Sequence, residues 1–246
     1  MKKVDIQTPD GSADCYLFQP AINKKYPAII FYMDAFGIRQ ALLDMAGRLA
    51  DNGYFVLLPN LYYRNGIHAP FNTATAFNPG PERERLMALI QSITIRSVMD
   101  DTALLIDYLS KEPSADYKKI GCVGYCMGGK FALSAAAYFP GNVQAVASVH
   151  GGNLVTDRPD SPHLLAGRIK GNVYIGIAAN DRSFTAEHKL KLQEAFTLAH
   201  VKGILEDYPD AAHGFAINDS TVYNREASEL HWQRILRLFG ENLKEQ

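Results

Sequence analysis

Residues 28–33, Ala-Ile-Ile-Phe-Tyr-Met, form an unbroken apolar run bounded by polar and turn-forming positions. A short continuous run of this kind is the pattern of a strand buried on both faces of a sheet. Residues 40–52 then change period. Leu42, Met45, Ala46 and Leu49 recur every three or four positions, which predicts a helix with one buried face, and Gly53 stands where a helix C-cap glycine belongs. The run 54–58, Tyr-Phe-Val-Leu-Leu, predicts the next strand, ended by Pro59. The alternation continues, with strands predicted over 120–123, 145–149, 173–178 and 203–208. Helices are predicted over 97–110, 127–138, 185–200 and 223–242. Strand and helix in regular alternation predict an α/β architecture: a mostly parallel central sheet with helices on both faces. Ligands bind such sheets beyond the carboxyl ends of the strands. Residues 60–80 break the rhythm, mixing Asn, Pro, Thr and aromatics without clear period. A loop this long in a compact domain is usually functional. Residues 60–95 are therefore read as an excursion on the substrate side. With no repeat, low-complexity tract or linker, residues 1–246 are expected to form one domain.

Composition narrows the function without naming it. A chain of 246 residues can bury a sizeable core without disulfide or metal. Basic and acidic residues balance at 25 and 26, and no block of like charge occurs, so a nucleic-acid partner is not expected. Met1-Lys2-Lys3 is followed by no apolar core of a signal peptide, and no run approaches the ~20 apolar residues that span a bilayer. A cytoplasmic protein without membrane partner is the expectation. Cys15, Cys122 and Cys126 are too few and too irregular for a disulfide framework, and no ligand set of zinc-binding spacing stands out. Neither metal nor cofactor is expected.

The informative segment is Ile120-Gly-Cys-Val-Gly124-Tyr125-Cys126-Met127-Gly128-Gly129-Lys130. A predicted strand runs into Gly-x-Cys-x-Gly and then into a helix rich in small residues. This is the nucleophile-elbow pattern with cysteine in the nucleophile's place. The turn is strained and its neighbours must be small, a need that Gly124 and Gly128 meet. It leaves the helix N-terminus beneath the sulfur, where backbone N–H groups and the helix dipole can stabilise a thiolate or an oxyanion. The alternative, a buried structural cysteine in a glycine-rich turn, does not account for the strand-turn-helix context.

An elbow nucleophile is followed in the chain by its acid and then its base. Asp181 follows the strand over 173–178, and His213 follows the strand over 203–208, within Ala211-Ala212-His213-Gly214-Phe215. Cys126, Asp181 and His213 are thus the expected catalytic triad. His213 takes or holds the thiol proton and passes it to the leaving oxygen. Asp181 fixes the imidazole tautomer and offsets its charge. The oxyanion donors expected are the N–H groups of Met127 and of Ala35, in the loop Asp34-Ala35-Phe36-Gly37 after the first apolar strand.

These pieces, together with Met33-Asp34-Ala35-Phe36-Gly37, Gly53-Tyr54, Pro59-Asn60-Leu61-Tyr62 and Asn180-Asp181, resemble the dienelactone hydrolase family of α/β-hydrolases and run in family order. The resemblance implies the α/β-hydrolase fold and a Cys-His-Asp enzyme acting on small esters or lactones without cofactor. It also implies a carboxylate beside the nucleophile that helps take the thiol proton. Asp34 occupies that position, where the family usually carries Glu. The family further holds a substrate carboxylate with two arginines. One of those positions is Ile217 here, and the other falls in the segment containing Arg83 and Arg85. The reaction type therefore carries over better than the substrate, and neutral esters or lactones are expected to outcompete anionic ones. Tyr125, and His150 at the end of the strand over 145–149, are further candidate substrate contacts. A thioesterase or peptidase on the same scaffold, or a catalytically silent binding protein, are the competing readings. An intact triad speaks against silence.

Overall fold

The computed structural model describes residues 1–21 and 24–244. Among the described residues eight strands form one sheet: β1 (Lys2–Thr8), β2 (Gly11–Phe18), β3 (Tyr26–Tyr32), β4 (Phe55–Pro59), β5 (Ala115–Tyr125), β6 (Val143–Val149), β7 (Asn172–Ala178) and β8 (Gly203–Tyr208). Their spatial order is β1-β2-β4-β3-β5-β6-β7-β8. From β4 to β8 every neighbouring pair is parallel, and β1 and β2 add an antiparallel edge. The predicted strand over 28–33 is the buried heart of β3, and that over 120–123 is the buried end of β5.

Among the described residues six α-helices cover the sheet: α1 (Gln40–Asp51), α2 (Pro81–Ser92), α3 (Ile95–Lys111), α4 (Met127–Tyr138), α5 (Ala186–Leu198) and α6 (Arg225–Leu243). Two glycines of β5 show that they lie on opposite faces. A Cβ at Gly121 would collide with Leu243 and Phe239 of α6, whereas one at Gly124 would collide with Gly128 of α4. Residues three apart on a strand point to opposite sides, so α6 covers one face and α4 the other. α1 joins α6, to which Arg48 is tied through a two-pronged ion pair with Glu229.

Two elements lie outside the predicted set. The hairpin β1–β2 was not predicted, although Ala13, Cys15 and Leu17 alternate inward along β2. Within the segment read as a substrate-side excursion, residues 81–92 form a regular helix. Pro81 starts α2, where a missing N–H costs nothing, and Leu86 and Leu89 anchor it in the core. Residues 60–80 do remain largely irregular, with a single 3₁₀ turn at Tyr63–Asn65 and Tyr62, Phe71 and Ala76 buried. Among the described residues no helix is long and apolar enough to cross a membrane, and no cluster of three or more His, Cys, Asp or Glu could hold a metal ion.

Candidate active site

Every candidate catalytic side chain follows the carboxyl end of a strand. Ala35 follows β3, Cys126 follows β5, Asp181 follows β7 and His213 follows β8. The elbow at Cys126 is strained, with φ 53° and ψ −117°, a combination that L-residues avoid. Close backbone packing enforces it. A Cβ at Gly124 would sit 2.1 Å from the Gly128 carbonyl oxygen, and one at Gly128 would sit 2.3 Å from that of Tyr32. Both positions therefore exclude any side chain. The turn is further held by the Cys126 N–H to Val149 O, at 3.2 Å, and by the Gly152 N–H to Cys126 O, at 3.1 Å. α4 begins at Met127, whose N–H lies in the first turn and has no intrahelical acceptor.

His213 Nδ1 lies 2.6 Å from Asp181 Oδ2. The other carboxylate oxygen of Asp181 accepts from Ser183 Oγ at 2.6 Å and from the Ser183 N–H at 2.8 Å. Burial favours the neutral carboxyl of Asp181, but hydrogen bonds from His213 and Ser183 outweigh it and hold the group below the usual carboxylate range. Burial also opposes charge on His213. The Cys126 sulfur and the Asp181 carboxylate override that and push its pKa up to about 10. With Nδ1 taken by Asp181, Nε2 is the nitrogen left for the sulfur.

Cys126 and His213 sit between two hollows. The larger is a cleft of about 1020 Å³ whose wall includes Ala35, Met127, Lys130, Met87, Ile90 and Phe77. α2 and the loop before it thus do line the cleft, through Met87, Ile90 and Phe77. The smaller is a lobe of about 240 Å³ lined by Asp34, Phe36, Arg39, His150, Ile217 and Val222 among others. Its wall mixes apolar side chains with polar ones such as Thr73, Ser220 and Thr221, and its guanidinium, that of Arg39, is committed. Arg39 donates to both oxygens of Asp34 at 2.8 and 2.9 Å, and to both of Asp219 at 2.6 and 2.9 Å.

Asp34 is therefore not a free carboxylate beside the thiol. Burial raises its pKa, Arg39 opposes that, and one oxygen also accepts the Phe36 N–H at 3.0 Å. The Arg39 clamp ties the loop carrying Ala35 to the loop after His213. Tyr62 adds to the hold, donating its hydroxyl to the Ala35 carbonyl at 2.8 Å.

The substrate-contact expectations fare unevenly. His150 lines the small lobe, its ring centroid 5.2 Å from that of His213, with a left-handed φ of 39°. Tyr125 does not line either hollow. It is fully buried, packs on Phe31 and His150, and its hydroxyl meets His231 Nε2 at 3.2 Å. Arg83 is exposed and outside both walls. Arg85 turns to the preceding loop, where its guanidinium donates to the carbonyls of Ala69 and Pro70 and lies over the Phe71 ring. Neither arginine is part of the cleft wall or of the lobe, although Arg83 lies one turn before Met87 on the stripe of α2 that faces the cleft. Sequence reasoning missed Ser183, Tyr62, Arg39 and Lys130. Only Ser183 had a local signal, an Asp-x-Ser spacing that favours a side-chain turn onto the backbone.

The sequence model of the dienelactone hydrolase family matches residues 13–243. A carboxymethylenebutenolidase of Pseudomonas putida is 27% identical over 235 residues, covering 95% of this chain and 93% of that protein. Among solved structures, a dienelactone hydrolase-like promiscuous phosphotriesterase from metagenomic libraries superposes with a TM-score of 0.80. It shares 21% identity and covers 99% of this chain and 98% of its own. A dienelactone hydrolase of Anabaena variabilis superposes with a TM-score of 0.67 at 19% identity, covering 99% and 98%. Likeness at these identities speaks to the fold, which is the α/β-hydrolase fold.

Proposed function

The chain belongs to the dienelactone hydrolase family, and from that premise we propose that it hydrolyses small carboxylic esters or lactones through a thioester on Cys126. The observation that carries the reading is the meeting of a strained, cleft-facing cysteine with a histidine already fixed by a buried carboxylate. A backbone in so costly a conformation persists only where its surroundings over-determine it, as they do at active sites.

In this reading His213 takes the Cys126 proton, and the Asp181 carboxylate bonded to Nδ1 stabilises the imidazolium that forms. The sulfur attacks the carbonyl carbon, and the oxyanion is received by the N–H groups of Ala35 and Met127. Collapse expels the alkoxide, which takes the proton from His213, and leaves the acyl group on sulfur. In a lactone the expelled oxygen stays tethered to the acyl chain. His213 then draws a proton from water, hydroxide attacks the thioester, and the acid and free thiol are restored. Asp181 keeps the imidazole oriented throughout, with Ser183 as its support. Asp34 acts through Arg39 on the position of the Ala35 loop rather than on the thiol.

Turnover of a simple aryl acetate, measured for the wild type and for Cys126→Ala, tests the reading. Steady turnover lost in the variant supports it. A wild type inert toward aryl esters and lactones alike would leave a binding protein on a hydrolase scaffold.

A further inference from the structure

Tyr62 follows β4 at the head of the excursion, and its side chain is fully buried. Its backbone is fixed from the sheet. The Tyr62 N–H donates to Asn60 Oδ1 at 3.0 Å, and the Asn60 side-chain amide donates to Asp14 Oδ1 on β2 at 2.8 Å. The ring makes an edge contact with His68, which packs on Phe71 in turn. From this mount the hydroxyl reaches both residues assigned the oxyanion donors. It donates to the Ala35 carbonyl at 2.8 Å and lies 3.5 Å from Met127 Sδ. Burial raises the pKa of the phenol, and Asp34 and Cys126 add to this as nearby negative groups, so the hydroxyl keeps its proton for the carbonyl.

The loop after β3 needs such a grip. The Phe36 and Gly37 N–H groups turn back onto Asp34, at 3.0 and 3.4 Å, which folds the loop without holding Ala35. Among the described residues no acceptor meets the Ala35 N–H, which leaves it for the cleft that Ala35 lines. An oxyanion donor acts best when it is aimed before the charge develops, and a misplacement of about 1 Å can cost a hundredfold in rate. We propose that Tyr62 is a positioning residue of the oxyanion hole. By holding the Ala35 carbonyl and bearing on Met127, it keeps the donor on the loop after β3 in register with the donor at the start of α4. Tyr62 lines neither hollow, so it acts through those two residues and not on the substrate. The excursion thereby serves the chemistry through its buried root as well as walling the cleft. The proposal rests on the ester-hydrolase reading and adds a residue to it.

The test separates a reaction of Cys126 that builds an oxyanion from one that does not. Acylation by p-nitrophenyl acetate, read from the first-turnover burst, builds one. Alkylation by iodoacetamide displaces iodide at a tetrahedral carbon and builds none. Tyr62→Phe keeps the ring and removes the hydroxyl. It should lower the acylation rate about tenfold, short of the loss of a whole oxyanion donor, and leave the alkylation rate close to wild type. Tyr63→Phe is the control, since it removes a hydroxyl bonded to Thr8 and Asp101. It should change neither rate. A second readout needs no turnover. The carbonyl carbon of trifluoroacetophenone takes the Cys126 sulfur, the carbonyl electron pair passes to oxygen, and the thiol proton goes to His213. The resulting oxyanion occupies the hole, and the adduct protects Cys126 from iodoacetamide. Half-protection in Tyr62→Phe should need about tenfold more ketone, the same loss of donor alignment. That readout registers the hole even if no ester is cleaved, so it separates failure of this proposal from failure of the ester-hydrolase reading. Acylation and alkylation falling together, ketone protection unchanged in Tyr62→Phe, or the same split in Tyr63→Phe would overturn the assignment.

Discussion

Asp181 and His213 meet through a single short contact, Oδ2 to Nδ1 at 2.6 Å, while the remaining oxygen of Asp181 is fixed by Ser183. The imidazole is therefore aimed by a carboxylate that is itself aimed. Removing the carboxylate in Asp181→Ala should lower kcat roughly a hundredfold or more, because the tautomer and the imidazolium both lose support. Ser183→Ala removes the hydroxyl's bond to the Asp181 carboxylate, worth roughly 1.5 kcal/mol, and its 3.4 Å contact with His213 Nδ1, and leaves the backbone N–H in place, so a loss of about tenfold is expected. Steady-state kinetics of the two variants check the order. A Ser183→Ala defect as deep as that of Asp181→Ala would mean Ser183 does more than orient.

The charge state of His213 makes a prediction about pH. Its folded pKa, about 10, lies above the ordinary 6.5, so the imidazolium persists through neutral pH and is lost as pH rises through about 10. The imidazolium is the proton donor to the leaving oxygen in acylation, so kcat/KM, which reports the free enzyme, should hold through neutral pH and fall on that alkaline side. Asp181→Asn removes one of the interactions that raise the value, and the alkaline limb should move to lower pH. A wild-type profile already falling between pH 6.5 and 7.5 would contradict the assignment of His213 as a retained acid.

How far these groups could be read in the sequence follows from the range of the interactions that place them. Cys126 was legible because the elbow is local: strand, small residue, nucleophile, small residue and helix stand within eleven consecutive positions. Asp181 and His213 were legible through chain order, since parallel strands bring their carboxyl ends together. The hairpin β1–β2 escaped notice because β1 is an edge strand with mostly polar, exposed positions, Ile6 being its one buried side chain. α2 escaped because only Leu86 and Leu89 are buried along it, too sparse a stripe to set a period. Tyr62 and Arg39 act on partners brought close by the fold. Arg39 reaches Asp219 from 180 positions away, and no local pattern reports such a contact.

That same clamp predicts a stability effect. Asp34 is buried and Arg39 nearly so, and Arg39→Met strands the Asp34 carboxylate in the wall of the small lobe. Breaking a buried pair from one side costs about 3–5 kcal/mol, which urea denaturation should register. Asp34→Asn in the Arg39→Met background removes the stranded charge and should recover part of the loss. Wild-type stability in Arg39→Met would show that the clamp contributes nothing.

Thiol labelling should single out the elbow. Cys15 and Cys122 are fully buried, and burial raises both thiols, that of Cys15 to about 12. Cys126 alone of the three is partly accessible and opens onto the cleft. Brief iodoacetamide treatment near neutral pH should modify Cys126 first, with activity falling in proportion, and a bound ester analogue should protect it. Peptide mapping decides the matter: activity lost with Cys126 unmodified would count against its role.

The central claim, an acyl group carried on Cys126, is tested most directly by trapping it. The enzyme is mixed with excess aryl acetate, quenched in acid during turnover, digested at low pH and analysed by mass spectrometry. The account predicts one acetyl group on the peptide containing Cys126, released by neutral hydroxylamine as a thioester is, and no such adduct in Cys126→Ala. Acetyl found on another residue during turnover, or wild-type turnover by Cys126→Ala, would contradict it.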